Sequence, residues 1–205
     1  MQGVDRTSSR YCLYPIGLKL VDRLCLVVGS GPIARRKAEE LLECGAMVRE
    51  VSRDFKPADL DGVHVVVAAT DDTEVQEAVA HAAASRGIPC NVVDVNHLCT
   101  FYAPAVLRRG AMTITVATDG KFPLLAVAIR DRLAATLGGT IGPALEILGD
   151  ARDLARERYP DDPDERVTAL RELLSEPALN SILEGRLAEF EAHWTSWKTN
   201  LAARA

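Results

Sequence analysis

The 205-residue chain has only five cysteines and four histidines. Cys12, Cys25, Cys44, Cys90 and Cys99 form no C-x-x-C pair, and the histidines do not cluster with them, which argues against a zinc site or a disulfide framework. Several of the cysteines sit in apolar strand-like or helical contexts and read as buried free thiols in a reducing compartment. Cationic excess is also missing. The net charge is −5 and no basic run rivals the acidic groups, so non-specific nucleic-acid binding is not expected. No apolar stretch approaches the length of a membrane span. The opening MQGVDRTSSRYC lacks the apolar core of a secretory leader, so the expected setting is cytoplasmic. Repeats and low-complexity segments are absent, which excludes solenoids. What remains is an ordinary globular composition, 48% hydrophobic and 26% charged, with enough apolar content for a core.

The first half alternates strand and helix. Residues 24–28 form a continuous apolar strand, and residues 34–44 carry a helical apolar face at Ala34, Ala38, Leu41 and Leu42, ended by Gly45. Residues 47–51 and 63–69 are further strands. Thr70, Asp71 and Asp72 supply N-cap chemistry for a helix through Ser85, and residues 88–93 give the next strand. This order predicts a parallel, doubly wound sheet. After Gly110 the texture changes. Residues 112–117 alternate as an edge or antiparallel strand, a turn at 118–123 leads into a helix through Leu137, and helices follow from Pro143 onward. The acidic, proline-broken stretch at 159–165 separates two of them. Leu183, Leu187, Phe190, Trp194 and Trp197 lie on one helical stripe, expected to pack in the core or against another subunit.

Two features carry chemistry. Gly29-Ser30-Gly31-Pro32-Ile33-Ala34 matches GxGxxA between a strand and a helix. In that context the first glycine permits a tight turn and the second lets the backbone approach a pyrophosphate. Ala34 lets the helix pack close, and the helix N-terminus stabilises the phosphate charge. An acid near the end of the second strand should hold the ribose hydroxyls. Glu50 is one candidate, with Ser52 and Arg53 as alternatives, and Arg53 leaves NAD and NADP both open. The other feature is Asp94, directly after the apolar run IPCNVV. A carboxylate at the carboxyl end of a parallel strand points into the ligand crevice. Together the two features suggest redox chemistry assisted by one base.

From Leu24 to about Arg132 the chain resembles the precorrin-2 dehydrogenase/sirohydrochlorin ferrochelatase family, the first module of sirohaem synthase. The matching segments are VVGSGPIARRKAEELLECGA, VVVAATDD, PCNVVD, LCTFYAPAVLRRG and TITVATDGKFPLLAVAIRDRL. The resemblance implies a Rossmann NAD-binding domain over residues 1–111, a dimerisation segment over 112–142 and an all-helical C-terminal domain over 143–205. It also implies NAD-dependent oxidation of precorrin-2 to sirohydrochlorin, often followed by ferrous-ion insertion, in a homodimer. Asp94 matches the family's catalytic aspartate. Asn91 opens the same motif and orients the cofactor or the loop. Gly29, Ser30, Gly31, Pro32 and Ile33 match the nucleotide loop, Thr70 follows the third strand, and Thr118 matches a position beside the tetrapyrrole cavity. A polycarboxylate substrate needs local cations, for which Arg108, Arg109, Lys121, Arg130 and Arg132 are candidates, while Arg35, Arg36 and Lys37 are candidates for the nucleotide phosphates.

Three departures from the family stand out. The stretch from Gly45 to Thr70 is much shorter and lacks a strand or helix beyond the second strand. Phe122 replaces the serine usual before the proline of the turn. His97 is not a family residue, and a lone surface histidine accounts for it. Two alternatives stay open: a member that inserts metal only, and a binding module that senses a nucleotide or tetrapyrrole without turning it over.

Overall fold

The structure, a computed structural model, describes residues 13–204, so Cys12 and the opening segment lie outside the described residues. The chain divides into two compact units between residues 103 and 104. That division precedes the boundary at 111 read from the sequence, because residues 105–109 pair with the strand that follows them rather than with the parallel sheet.

Unit 1 is built on a four-stranded, all-parallel sheet in the order β2-β1-β3-β4, with β1 (Leu24–Val28), β2 (Met47–Val51), β3 (Val65–Ala68) and β4 (Cys90–Val92). The runs of valine, leucine and cysteine in β1 and β3 suit strands covered on both faces, while the edge strand β2, with Arg49 and Glu50, is exposed. Side chains alternate along each strand. Leu26, Val28, Val66 and Ala68 turn one way and pack with Val79 and Ala83 of α2 (Thr73–Ser85). Val27 and Val67 turn the other way, against Ala34 and Ala38 of α1 (Pro32–Leu42). Asp72 caps α2 by accepting from the amides of Glu74 and Val75. The connection from β2 to β3 holds only one 3₁₀ turn, Pro57–Leu60, pinned by the buried Leu60. That is the short stretch noted in the sequence.

Unit 2 opens with a β-hairpin of β5 (Ala105–Arg109) and β6 (Met112–Val116), turning at Gly110 in the left-handed region. The helices α3 (Pro123–Thr136), α4 (Ile141–Arg158), α5 (Pro163–Leu173), α6 (Glu176–Leu183) and α7 (Leu187–Ala203) follow. Asp162 caps α5 and Pro163 occupies its first turn, so the interruption between α4 and α5 is confined to residues 159–162. Phe190 and Leu173 are fully buried, and Trp197 donates its indole N–H to the Ala169 carbonyl at 2.8 Å. Trp194 stacks on Trp197 at 5.3 Å between ring centroids. Phe190, Trp194 and Trp197 of α7 are therefore core, while Leu183, read on the same stripe, lies on α6 because the chain turns at Gly185 between the two helices. Among the described residues no helix is long and apolar enough to cross a membrane.

The sheet's most demanding point is Gly29, where φ is +135° and an added Cβ would meet the Ala69 carbonyl oxygen at 2.2 Å. Both the backbone angle and the space forbid a side chain. Gly29→Ala should lower the urea unfolding stability by about 2–4 kcal/mol, combining backbone strain with overpacking. An unchanged midpoint would contradict the close approach of β1 and β3.

Candidate active site

The glycine loop leaves β1 at the carboxyl edge of the sheet and enters α1. Because β2 and β3 lie on opposite sides of β1, this is where strand order reverses and a crevice opens. Gly31 is the N-cap of α1 and offers no side-chain cap, and Pro32 follows in the first turn with no N–H to satisfy. The first-turn amides of Ile33 and Ala34 thus have no side-chain acceptor on this helix. The two glycines differ in purpose. Gly29 is glycine because the neighbouring strand is too close, whereas a Cβ on Gly31 would meet nothing within 4 Å. Gly31 borders open space, a cradle in which backbone N–H groups and the positive end of the helix face an anion.

Asp94 lies just past β4, in a turn closed by the Val95 amide donating to the Val92 carbonyl at 3.2 Å. Its φ is +62°, in the left-handed region, and its side chain is exposed. A non-glycine residue held there is strained, although aspartate tolerates the conformation better than most. The turn is anchored to the sheet by the Val93 amide, which donates to the Ala68 carbonyl at 2.9 Å.

These elements enclose one cleft of about 490 Å³, the size of a small-ligand site. Of the residues picked out in the sequence, Gly29, Ser30, Gly31, Pro32 and Ile33 line it, as do Arg53, Thr70 and Asp94. Ser52 is exposed and lies outside the lining, as does Glu50. Asn91 also lies outside it. It lies within β4, buried, and its side chain donates to the Phe101 carbonyl at 3.0 Å, so it braces the loop rather than facing the crevice. Arg36 and Lys37 pair with Glu40 along α1.

Two polar lining residues were missed. Asp71 was grouped with Asp72 as capping chemistry, but Asp72 makes the cap and Asp71 faces Arg53 at 3.2 Å in an exposed ion pair. Gln76 is buried on α2 and donates to the Thr70 carbonyl at 2.6 Å, fixing the end of β3. A polar side chain on the inward face of α2 was the available signal. Arg35 is exposed on α1 outside the lining, and the candidate substrate cations sit in unit 2. Arg109 donates to the Arg108 and Ala134 carbonyls, Arg130 pairs with Asp131, and Lys121 is exposed. Arg108 is exposed on β5, and Thr118 accepts from the Phe122 amide at 3.3 Å, closing the turn before α3. His97 is exposed in a short 3₁₀ turn, and among the described residues no three His, Cys, Asp or Glu side chains gather as metal ligands.

Burial raises the thiol pKa of Cys25, Cys90 and Cys99, with Cys90 pushed up to about 11. The described cysteines are all free.

Residues 16–105 match the protein family described as "Putative NAD(P)-binding". The chain is 37% identical over 173 residues to a siroheme synthase of Methylobacillus flagellatus, aligning 75% of this chain with 37% of that protein. Identity to the siroheme synthase of Methylococcus capsulatus is 34%, covering 86% of this chain and 41% of the relative. The Chromobacterium violaceum siroheme synthase is 35% identical, with 84% and 41% covered. The chain thus spans about two-fifths of the length of the curated relatives it matches. Among solved structures, "SirC, precorrin-2 dehydrogenase" superposes with a TM-score of 0.67 at 22% identity, covering 90% of this chain and 100% of that one, which shows a shared fold. By glycine loop, topology and these comparisons, the chain carries a Putative NAD(P)-binding segment, is similar to about two-fifths of a siroheme synthase, and shares the fold of a solved precorrin-2 dehydrogenase.

Proposed function

We propose that the chain is an NAD-dependent dehydrogenase that oxidises precorrin-2 to sirohydrochlorin, with Asp94 as the base. The observation that carries this reading is one cleft holding both an uncapped glycine-loop helix start and a single strained carboxylate at the end of the neighbouring strands. The open face of Gly31 fits a pyrophosphate, and the cleft volume suits a nucleotide. NAD, when bound, supplies a two-electron acceptor; the chain's own residues must hold it and remove the proton. The amides of the first turn of α1 bind phosphate charge, and Thr70, with its carbonyl fixed by Gln76, borders the same space. The Asp94 carboxylate accepts the proton released as the macrocycle loses its two electrons. Exposure keeps that carboxylate available to a large substrate.

The polycarboxylate substrate is assigned to the cations of unit 2, Arg108, Arg109 and Lys121, together with Thr118. Ferrous ion, as a second substrate entering sirohydrochlorin, would require pyrrole protons to leave, and the same Asp94 could take them. Residues 112–142 are assigned to dimerisation. Support comes from α3, where Leu125 and Ile129 are exposed and Leu124 is 72% exposed, and from the hairpin β5–β6, since two strands alone are marginally stable and leave edges to pair. Residues 143–205 are assigned to the helical C-terminal domain. Free thiols support a reducing, cytoplasmic setting.

Three outcomes follow from these assignments. Gly31→Asp puts a carboxylate into the phosphate cradle without a clash, so calorimetry should show NAD binding lost while the unfolding midpoint is kept; retained binding would refute the cofactor site. Asp94→Asn should bind NAD as the wild type does and turn precorrin-2 over about a hundredfold more slowly or worse. Wild-type rates for that variant would reduce Asp94 to a turn residue. Replacing Leu125 and Ile129 together by glutamate should convert a dimer to a monomer by light scattering, and an unchanged dimer would move the interface elsewhere.

A further inference from the structure

β4 is the last strand of the parallel sheet, so one of its edges has no strand beside it. The segment at 99–101 covers that edge. The Thr100 amide donates to the Cys90 carbonyl at 2.8 Å, and its hydroxyl accepts from the Cys90 amide at 2.8 Å. Asn91 reaches across to the Phe101 carbonyl. At Val92 the role passes to the Cys99 thiol, whose sulfur accepts from the Val92 amide at 3.2 Å and lies 3.2 Å from the Val92 carbonyl. The same sulfur lies 3.5 Å from the Val95 carbonyl and 3.6 Å from the Asn91 amide nitrogen. Val92 and Val95 are the two ends of the turn that carries Asp94.

We infer that Cys99 is a positioning residue for Asp94, its thiol clasping both ends of the Val92–Val95 turn so that the aspartate stays in the left-handed conformation. The inference rests on the proposal that Asp94 is the base. A left-handed aspartate persists only where its surroundings over-determine it. Here the surroundings are the Val93–Ala68 hydrogen bond on one side and the thiol on the other. Sulfur suits the task because its long bonds let one atom span two carbonyls and an amide. The single S–H proton goes to the Val92 or Val95 carbonyl, while the lone pairs accept the Val92 amide. Burial raises this thiol above its ordinary value, so the proton needed for donation is present. Alanine at 99 would leave the Val92 N–H without a partner at the sheet edge and free the turn to relax. The consequence falls on the geometry of proton removal rather than on the glycine loop.

The test is steady-state oxidation of precorrin-2 by the full chain under anaerobic conditions. Cys99→Ala should lower kcat by about tenfold or more while the KM for NAD stays within about twofold, because the base is displaced and the nucleotide cradle is not. Cys99→Ser, which keeps a donor and acceptor, should recover most of the rate. In an Asp94→Ala background the Cys99→Ala change should cost nothing further, since there is no base left to misplace. Full kcat in Cys99→Ala, or the same fold loss with and without Asp94, would overturn the inference. If Cys99→Ala does not fold, serine is compared with valine, which fills the space without hydrogen bonding; equal rates for the two would overturn it. A wild-type protein that binds NAD yet oxidises nothing would instead sink the assignment of Asp94 as base, and this inference with it.

Discussion

The carboxyl ends of β1 and β3 run so close at Gly29 and Ala69 that no side chain fits between them, and the cleft owes its shape to that contact. The Ala69 amide donates to the Val28 carbonyl at 2.7 Å, the Gly29 amide to the Val51 carbonyl at 2.8 Å, and the Val93 amide to the Ala68 carbonyl at 2.9 Å. These bonds carry strand pairing one residue past β1, β3 and β4 and hold those ends level with the end of β2. With the floor so fixed, the chain can turn only through glycine, and α1 starts with its first-turn amides at the crevice. A looser junction would let a larger residue in and tilt the helix start away from the site.

Stability and chemistry are kept on different atoms. The central strands β1 and β3 are wholly apolar, with Leu26, Val27, Val28 and Val66 inaccessible to solvent, and they need no polar partners beyond the backbone ladder. Apart from Gln76 on α2, the polar groups that line the cleft come from the residues just after the strands, where backbone conformation rather than side-chain packing sets direction. Asp94 is the extreme case, a left-handed residue on a turn braced from the sheet and from Cys99. Its strain is local, of order 1 kcal/mol, and a core of this size absorbs it readily.

Much of this was readable from residue order. The apolar runs, the helix caps and Gly45 marked β1 to β4 and both helices of unit 1, because local pattern and tertiary role agree there. The helix break near Pro163 and the buried aromatic stripe were equally legible. β5 was not, since AVLRR mixes apolar and basic residues and pairs only with its neighbour in the hairpin. The bracing role of Asn91 was also hidden. An amide beside a strand end reads as a ligand contact until its partner, a backbone carbonyl ten positions on, is known. Asp71 escaped because three adjacent polar residues can each cap a helix, and only the geometry shows that Asp72 does so. Such choices between neighbouring side chains depend on long-range contacts that no local pattern encodes.

The central claim is that the glycine loop and Asp94 work on one substrate together. The most direct measurement mixes the protein with precorrin-2 under anaerobic conditions, with NAD as the only oxidant, and follows reduced nicotinamide and sirohydrochlorin by absorbance. Both should appear together, one reduced nicotinamide for each sirohydrochlorin. Tight binding of NAD and of tetrapyrrole with no reduced nicotinamide formed would contradict the claim.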